Sequence, residues 1–195
     1  MKTPISMWQV GVAASLLLLL GSLAAAGPGP DISTAGFGDA KFGMDVEAVE
    51  RALGRALVMP KGKSKAQVRK MECSYASVSD LPGVDLRFEN GRFMYVRVDK
   101  PTVTTRSGFK VGDLERMVID RLKTDSTYER YDDRYDETKM HITVGKIKMV
   151  GTGATQKIQG GYLIRFISKQ DRVILIEAGE ATFVSLSERE GDCNY

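Results

Sequence analysis

The sequence predicts an α+β fold in which two tandem helix-plus-antiparallel-sheet units pack as one body, and three observations carry that reading. Apolar residues recur at helical spacing twice, as Val46, Val49 and Leu53 and again as Leu114, Val118 and Leu122. Each helical stretch is followed downstream by runs that alternate around a short turn. The two halves also match in order: Gly43, Val49 and Leu53 align with Gly112, Val118 and Leu122, Leu86-Arg87-Phe88 with Ile164-Arg165-Phe166, and Phe93 to Val96 with Val173 to Ile176.

Taken in order, the first element is a leader. Lys2 precedes an apolar run from Val10 to Ala26 that contains Leu17-Leu18-Leu19-Leu20 and closes on Ala24-Ala25-Ala26, the pattern of a cleaved secretory signal over 1–26. The run is short for a spanning helix, and Gly27-Pro28-Gly29-Pro30 carries no positive flank. No Cys lies nearby to accept an acyl chain, so the expectation is a periplasmic or secreted protein with no stable membrane anchor. Residues 27–38 read as a flexible lead, with structure expected to start near Phe37 or Lys41.

The first unit spans 39–106. Asp45 is placed to cap a helix and Gly54 to end it. The segment from Ala66 to Met71 reads as either a short helix or an irregular connection. Val84, Leu86 and Phe88 then alternate with charged residues, Asn90-Gly91 is a hairpin turn, and Met94, Val96 and Val98 form the return stripe. Thr102 to Ser107 reads as a linker. The second unit, 107–187, holds a helix from Asp113 with Met117 beside its stripe, and the runs Met140-Ile142-Val144 and Ile147-Met149, whose phase slips at Gly145 as if at a bulge. A Gly-rich loop, Gly151 to Gly161, leads to Tyr162–Phe166, a turn at Lys169-Gln170-Asp171, the run Val173–Ile176, and a last strand from Thr182 to Leu186. Residues 188–195 form a C-terminal tail.

Composition narrows the function classes. With 28 Lys+Arg against 25 Asp+Glu the chain is nearly neutral, which disfavours a nucleic-acid partner; 43% hydrophobic and 27% charged residues fit a soluble globular protein. Cys73 and Cys193 are the whole cysteine inventory, and in an oxidising compartment an even count predicts one disulfide that ties the tail to the first unit. Closing a loop of about 120 residues stabilises by at most ~5 kcal/mol. No C-x-x-C spacing supports a redox dithiol.

The catalytic motifs fail on spacing. Gly62-Lys63-Ser64 ends like a phosphate loop, but Leu57 stands where its first Gly is needed; Gly151-Thr152-Gly153 meets Gln156 at the third Gly of a dinucleotide fingerprint. His141, the only imidazole, reads as a solvent-facing or interface residue on an alternating strand, and one His cannot build a His-based zinc site; no cofactor is expected. Asp132, Asp133, Asp136 and Glu137 lie among Tyr128, Tyr131 and Tyr135, whose i, i+3, i+7 spacing suits a helical face, although the acidic and tyrosine mix equally suits an exposed loop. A catalytic carboxylate pair is the minor reading of this segment. Because Tyr is favoured in interfaces, Tyr128, Tyr131, Asp132, Asp133 and Tyr135 are the candidate contact surface. Lys61, Lys63, Lys65, Arg69 and Lys70 form a second candidate, a basic patch for anionic lipid or polysaccharide.

Phe42-Gly43-Met44 with Val49 and Leu53-Gly54, its echo Val111-Gly112 with Val118 and Leu122, and the hairpins Leu86–Val96 and Ile164–Ile176 together resemble the module of the β-lactamase inhibitor protein and of the small outer-membrane assembly lipoproteins. The resemblance covers most of 39–180. It implies the fold and a tendency to bind other proteins, and it assigns no inhibitory activity. The chain departs from both families: the inhibitor has a disulfide in each unit, and the lipoproteins carry an acylated Cys. The expected function is an exported, non-enzymatic protein-binding module of the bacterial cell envelope. The alternative is a proteinaceous inhibitor of a secreted or periplasmic hydrolase. The oligomeric state and the partner's identity stay open.

Overall fold

The computed structural model describes residues 29–124, 128–132, 136, 138–150, 157–186 and 193. The signal reading over 1–26 lies outside them, and of the C-terminal tail only Cys193 lies inside. The architecture is α+β and packed as one body, with a three-stranded and an eight-stranded antiparallel sheet.

Strand β1 (Ile32–Ser33), β2 (Gly36–Phe37) and β3 (Ala40–Lys41) form the small sheet. Ile32, Phe37 and Ala40 are fully buried, and Ile32 also bridges Thr105. Much of the segment read as a flexible lead is therefore core, a correction with a simple cause: two isolated apolar residues among Gly and Ser show no periodicity, yet both are fully buried. The expected linker Thr102–Ser107 is corrected in the same way, since Val103 and Thr105 within it are buried.

Helix α1 (Val46–Leu53) follows the sequence reading at both ends. The Asp45 carboxylate accepts from the Ala48 N–H at 2.8 Å, and Gly54 adopts the left-handed conformation at φ +62°. Strand β4 (Leu57–Val58) leads to helix α2 (Lys65–Val68), which resolves the open reading of 66–71 in favour of a helix over its first half. Strand β5 (Cys73–Val78) is an element the sequence did not announce. Its core-facing positions are Ser74, Ala76 and Val78, too small and polar to make an alternating signal.

Strands β6 (Val84–Glu89) and β7 (Arg92–Val98) form the expected hairpin, with one correction. The register shifts so that Arg87 pairs with Tyr95 and Phe88 with Phe93, leaving Met94 as the extra residue of a bulge. Phe93, not Met94, is the fully buried residue.

In the second unit, helix α3 (Glu115–Leu122) buries Val118 and Leu122 and leaves Met117 exposed. Strands β8 (Tyr128–Asp132), β9 (Lys139–Val150), β10 (Lys157–Lys169) and β11 (Arg172–Glu180) follow, and helix α4 (Ala181–Leu186) closes the described chain. Three expectations change here. β9 pairs continuously through Gly145, and the extra residue lies on the partner strand between Ile158 and Gly160. Gly145 instead serves close approach, because a Cβ there would stand 2.3 Å from the Tyr162 carbonyl oxygen. The Gly-rich segment is strand from Lys157 onward; residues 151–156 lie outside the described set. The last strand expected at Thr182–Leu186 is the helix α4, which turns back over the sheet once β11 ends.

The large sheet runs β4-β5-β6-β7-β11-β10-β9-β8, so each unit supplies four strands and the two meet at β7 and β11. The repeat is visible in matching hydrogen bonds. Gly43 N–H donates to Phe93 O at 2.6 Å, and Gly112 N–H to Val173 O at 2.8 Å; Phe93 N–H donates to Met44 O at 2.8 Å, and Val173 N–H to Asp113 O at 2.9 Å. Both glycines need positive φ, +90° and +95°, to make this turn. The bulge at Met94 recurs at Ile174, where Ile167 pairs with Leu175 and Ser168 with Val173. At that constant offset the counterparts of Leu86 and Phe88 are Phe166 and Ser168, two residues beyond the match read from sequence. At the junction Val98 faces Ile176, Arg97 faces Glu177 and Val96 faces Ala178, which places Arg97 and Glu177 on a pseudo-two-fold axis. One apolar cluster, with Val46 and Val49 of α1, Val118 and Leu122 of α3, Phe88, Phe93, Phe166 and Ile176, runs across both units. Burying it against a shared sheet lets two small units act as one stable body.

Candidate functional site

The tyrosine and acid segment forms the outer strand of the sheet. Tyr128, Tyr131 and Asp132 belong to β8, which pairs with β9 in the register Tyr128↔Val144, Arg130↔Ile142, Tyr131↔His141 and Asp132↔Met140. This corrects both readings left open, helical face and loop, for 128–132. A three-residue spacing lines up on a helix and does not on a strand. Asp133 and Tyr135 lie outside the described residues, as does Glu137. Glu129, Arg130 and Asp132 are exposed along this edge.

Helix α3 fastens the edge to the body. Glu115, almost fully buried in the first turn of α3, accepts from Arg130 Nη2 at 3.2 Å through one carboxylate oxygen and from the Ser168 hydroxyl through the other. A carboxylate near a helix N-terminus is favoured there, and it ties β8 to β10 across β9. Past the strand, Asp136 accepts from the Thr138 hydroxyl and N–H and from Lys169 Nζ at 3.3 Å. The Thr138 hydroxyl, outweighing partial desolvation, and then Lys169 hold the Asp136 carboxyl below its ordinary value.

The basic candidates occupy the connection between β4 and β5. Lys61, Lys63, Lys65, Arg69 and Lys70 are all exposed, but two are committed: Lys65 to Glu50, and Arg69 to Glu47 at 3.5 Å. Burial pushes the Glu50 carboxyl up, and the Lys65 ammonium with the Leu57 N–H outweighs it, so the group sits below its ordinary value. Gly62-Lys63-Ser64 has a local task. Ser64 caps α2 in a reciprocal capping box with Gln67.

Cys73 and Cys193 form the expected disulfide, Cα to Cα 5.5 Å, across a sequence separation of 120. His141 corrects its expectation: it is fully buried on β9, between Tyr131 and Ile167 in the pairing. The reason is that the sheet face opposite α1 and α3 is itself partly covered, so β9 is buried on both sides at 141–143.

That second face carries residues the sequence reading passed over. One register row runs Ser77, Asp85, Arg97, Glu177, Arg165, Thr143 and Glu129 from β5 to β8, with charges that alternate from Asp85 to Arg165. Arg165 and Glu177 are 2% and 3% exposed in their side chains, with Arg165 Nε donating to Glu177 Oε2 at 2.8 Å and Tyr95 donating its hydroxyl to Oε1. Burial first, and then the Glu177 charge, push the Tyr95 phenol well above its ordinary value. The signal was present as one charge inside each of two apolar runs, Leu163–Ile167 and Val173–Ala178. Next to this pair, helix α4 packs on the same face, seating Ala181 and Val184 in a small cluster with Tyr95 and Leu163. On the sheet's outer reaches Arg87 Nε donates to Glu89 at 2.6 Å, and its guanidinium lies over the Tyr75 ring at 5.9 Å.

Among the described residues no group of three or more His, Cys, Asp or Glu is placed to hold a metal ion, and no helix is long and apolar enough to cross a membrane. No protein-family model matches the chain, and no curated protein matches it in sequence. Among solved structures, the chain is similar to the 1.5 Å crystal structure of an extracellular protein containing a SCP domain from Bacillus anthracis str. Ames, at 10% identity and a TM-score of 0.37, over 75% of this chain and 45% of that one. The chain thus spans less than half the length of that neighbour.

Proposed function

We propose that the protein is an exported binding module of the cell envelope that takes an extended segment of a partner protein along β8. The observation that carries the reading is the position of this strand: β8 ends the eight-stranded order, its pairing in the described sheet is to β9 alone, and Glu115 ties it to α3 through Arg130. A strand so placed offers unpaired backbone donors and acceptors to an incoming chain. Its exposed Glu129, Arg130 and Asp132 select for a partner of matching charge and against indiscriminate edge pairing. Export, to the periplasm or beyond the cell, is supported by the apolar run ending at Ala24-Ala25-Ala26 and by the Cys73–Cys193 bond.

The test is affinity capture from the producing cell's envelope extract, comparing wild type with a Tyr131→Ala, Asp132→Ala variant of unchanged melting temperature. A single protein enriched by wild type and lost by the variant is the expected result. Equal capture by both would refute the choice of surface.

A further inference from the structure

We propose that the strand accepted by β8 is basic: an extended segment with Lys or Arg at two positions three apart, one set opposite Glu129 and the other opposite Asp132. The proposal rests on the reading of β8 as a docking edge and adds the chemistry of what docks there.

The exposed charges of β8 divide into one that is matched and two that are not. Arg130 turns toward α3, with its Nη2 3.2 Å from Glu115 Oε1, so its positive charge is answered within the protein. Glu129 and Asp132 are exposed and have no ion-pair partner among the described residues. The inner neighbour does not answer them either, since Glu129 stands opposite Thr143 and Asp132 opposite Met140 on β9. Farther along, Asp136 is already matched by Lys139 at 3.6 Å and Lys169 at 3.3 Å. Residues an odd number apart on a strand point to opposite sides, so the edge presents one uncompensated acid on each of its faces.

That geometry sets the pattern a partner must carry. A cross-strand pair of opposite charges is favourable and a pair of like charges is not. A strand lying along β8 meets Glu129 and Asp132 with residues of its own that are three apart, whichever way it runs. A strand with its cations two apart, both on one face, answers only one of the two acids at a time. A second copy of the chain fits poorly. Two β8 strands paired antiparallel about Glu129, Arg130 or Asp132 set like charges opposite each other, and pairing about Tyr128 or Tyr131 engages at most three residues of each strand.

The test is fluorescence anisotropy of labelled peptides titrated with the mature, oxidised protein. The probes are Thr-Val-Lys-Val-Thr-Lys-Val-Thr, the same residues reordered to set the lysines two apart, and the first sequence with Glu in place of Lys. A Glu129→Lys, Asp132→Lys variant of unchanged melting temperature is titrated alongside. The expected result is that wild type binds the first peptide at least tenfold more tightly than the Glu peptide and more tightly than the reordered one, with the gap narrowing at high salt. The variant should reverse the order and prefer the Glu peptide. Equal binding of all three by wild type would overturn the proposal while leaving β8 as a docking edge. A preference for the first peptide that persists in the variant would also overturn it, because the acids choosing the partner would lie elsewhere. Absence of binding by the first peptide would overturn it as well; the docking edge would then be decided by amide protection along β8 in the complex with the captured partner, a readout that does not depend on charge.

Discussion

Replacing Arg165 by Met should destabilise the protein far more than its place outside the main core suggests. Both members of the Arg165–Glu177 pair are nearly free of solvent contact, and Arg165 makes two charge-assisted hydrogen bonds to the same carboxylate oxygen. Removing it takes from the buried Glu177 carboxylate the guanidinium that bonds its Oε2. Breaking a buried pair from one side costs about 3–5 kcal/mol, whereas exchanging both members for apolar residues is often neutral. At about 2–4 °C per kcal/mol for a chain of this size, the single substitution should lower Tm by roughly 6–20 °C. The assay is urea unfolding followed by far-UV circular dichroism, with Arg165→Met, Glu177→Leu and their double combined in a cycle. Carrying Tyr95→Phe throughout removes the hydroxyl that Glu177→Leu would orphan. The double variant should be more stable than the Arg165→Met single, with a coupling of at least ~2 kcal/mol. Additive losses, or an Arg165→Met cost below about 1 kcal/mol, would refute the assignment of this pair as a buried, mutually dependent unit.

Other expectations follow from local geometry. The Glu50 carboxyl is lowered in the folded protein, so its contribution is present above the unfolded value of about 4.3 and is lost as pH falls through the folded value. Glu50→Gln should therefore be less stable than wild type at neutral pH, with the gap in urea midpoint closing under acid. Asp171 holds φ +60° in the β10–β11 turn where its counterpart in the first hairpin is Gly91; Asp171→Gly should raise stability by about 0.5–1 kcal/mol, read from the same unfolding curves. Ser64→Ala, which removes the capping box of α2, should cost about 1 kcal/mol by the same assay.

Much of this architecture was legible where a local rule sufficed. Asp45 and Gly54 bound α1 because capping depends on a few adjacent residues, and Asn90-Gly91 sets a hairpin because the turn requires positive φ at both positions. Longer-range facts were hidden for physical reasons. Strand β5 buries Ser74 and Ala76, whose small side chains reach the core without making an apolar pattern. The segment at α4 contains Thr182, Phe183 and Val184, residues that favour strands, and tertiary seating overrides that preference. His141 reads as a solvent-facing or interface residue because alternation turns one face away from the core, a rule that fails where a strand is buried on both faces, as β9 is at 141–143. The charges of Arg165 and Glu177 stood out in the chain, but their pairing depends on the β10–β11 register, which a bulge at Ile174 shifts. The candidate contact segment stands out in the sequence by its tyrosines, but its strand form follows from pairing with β9, a long-range event that i, i+3 spacing does not encode.

The most direct test of binding through β8 is backbone amide exchange on this strand in the complex with the captured partner. Addition of a partner strand predicts that the β8 N–H groups turned away from β9 slow at least tenfold, while those already bonded to β9 change little. Tight binding with no added protection anywhere on β8 would contradict the account.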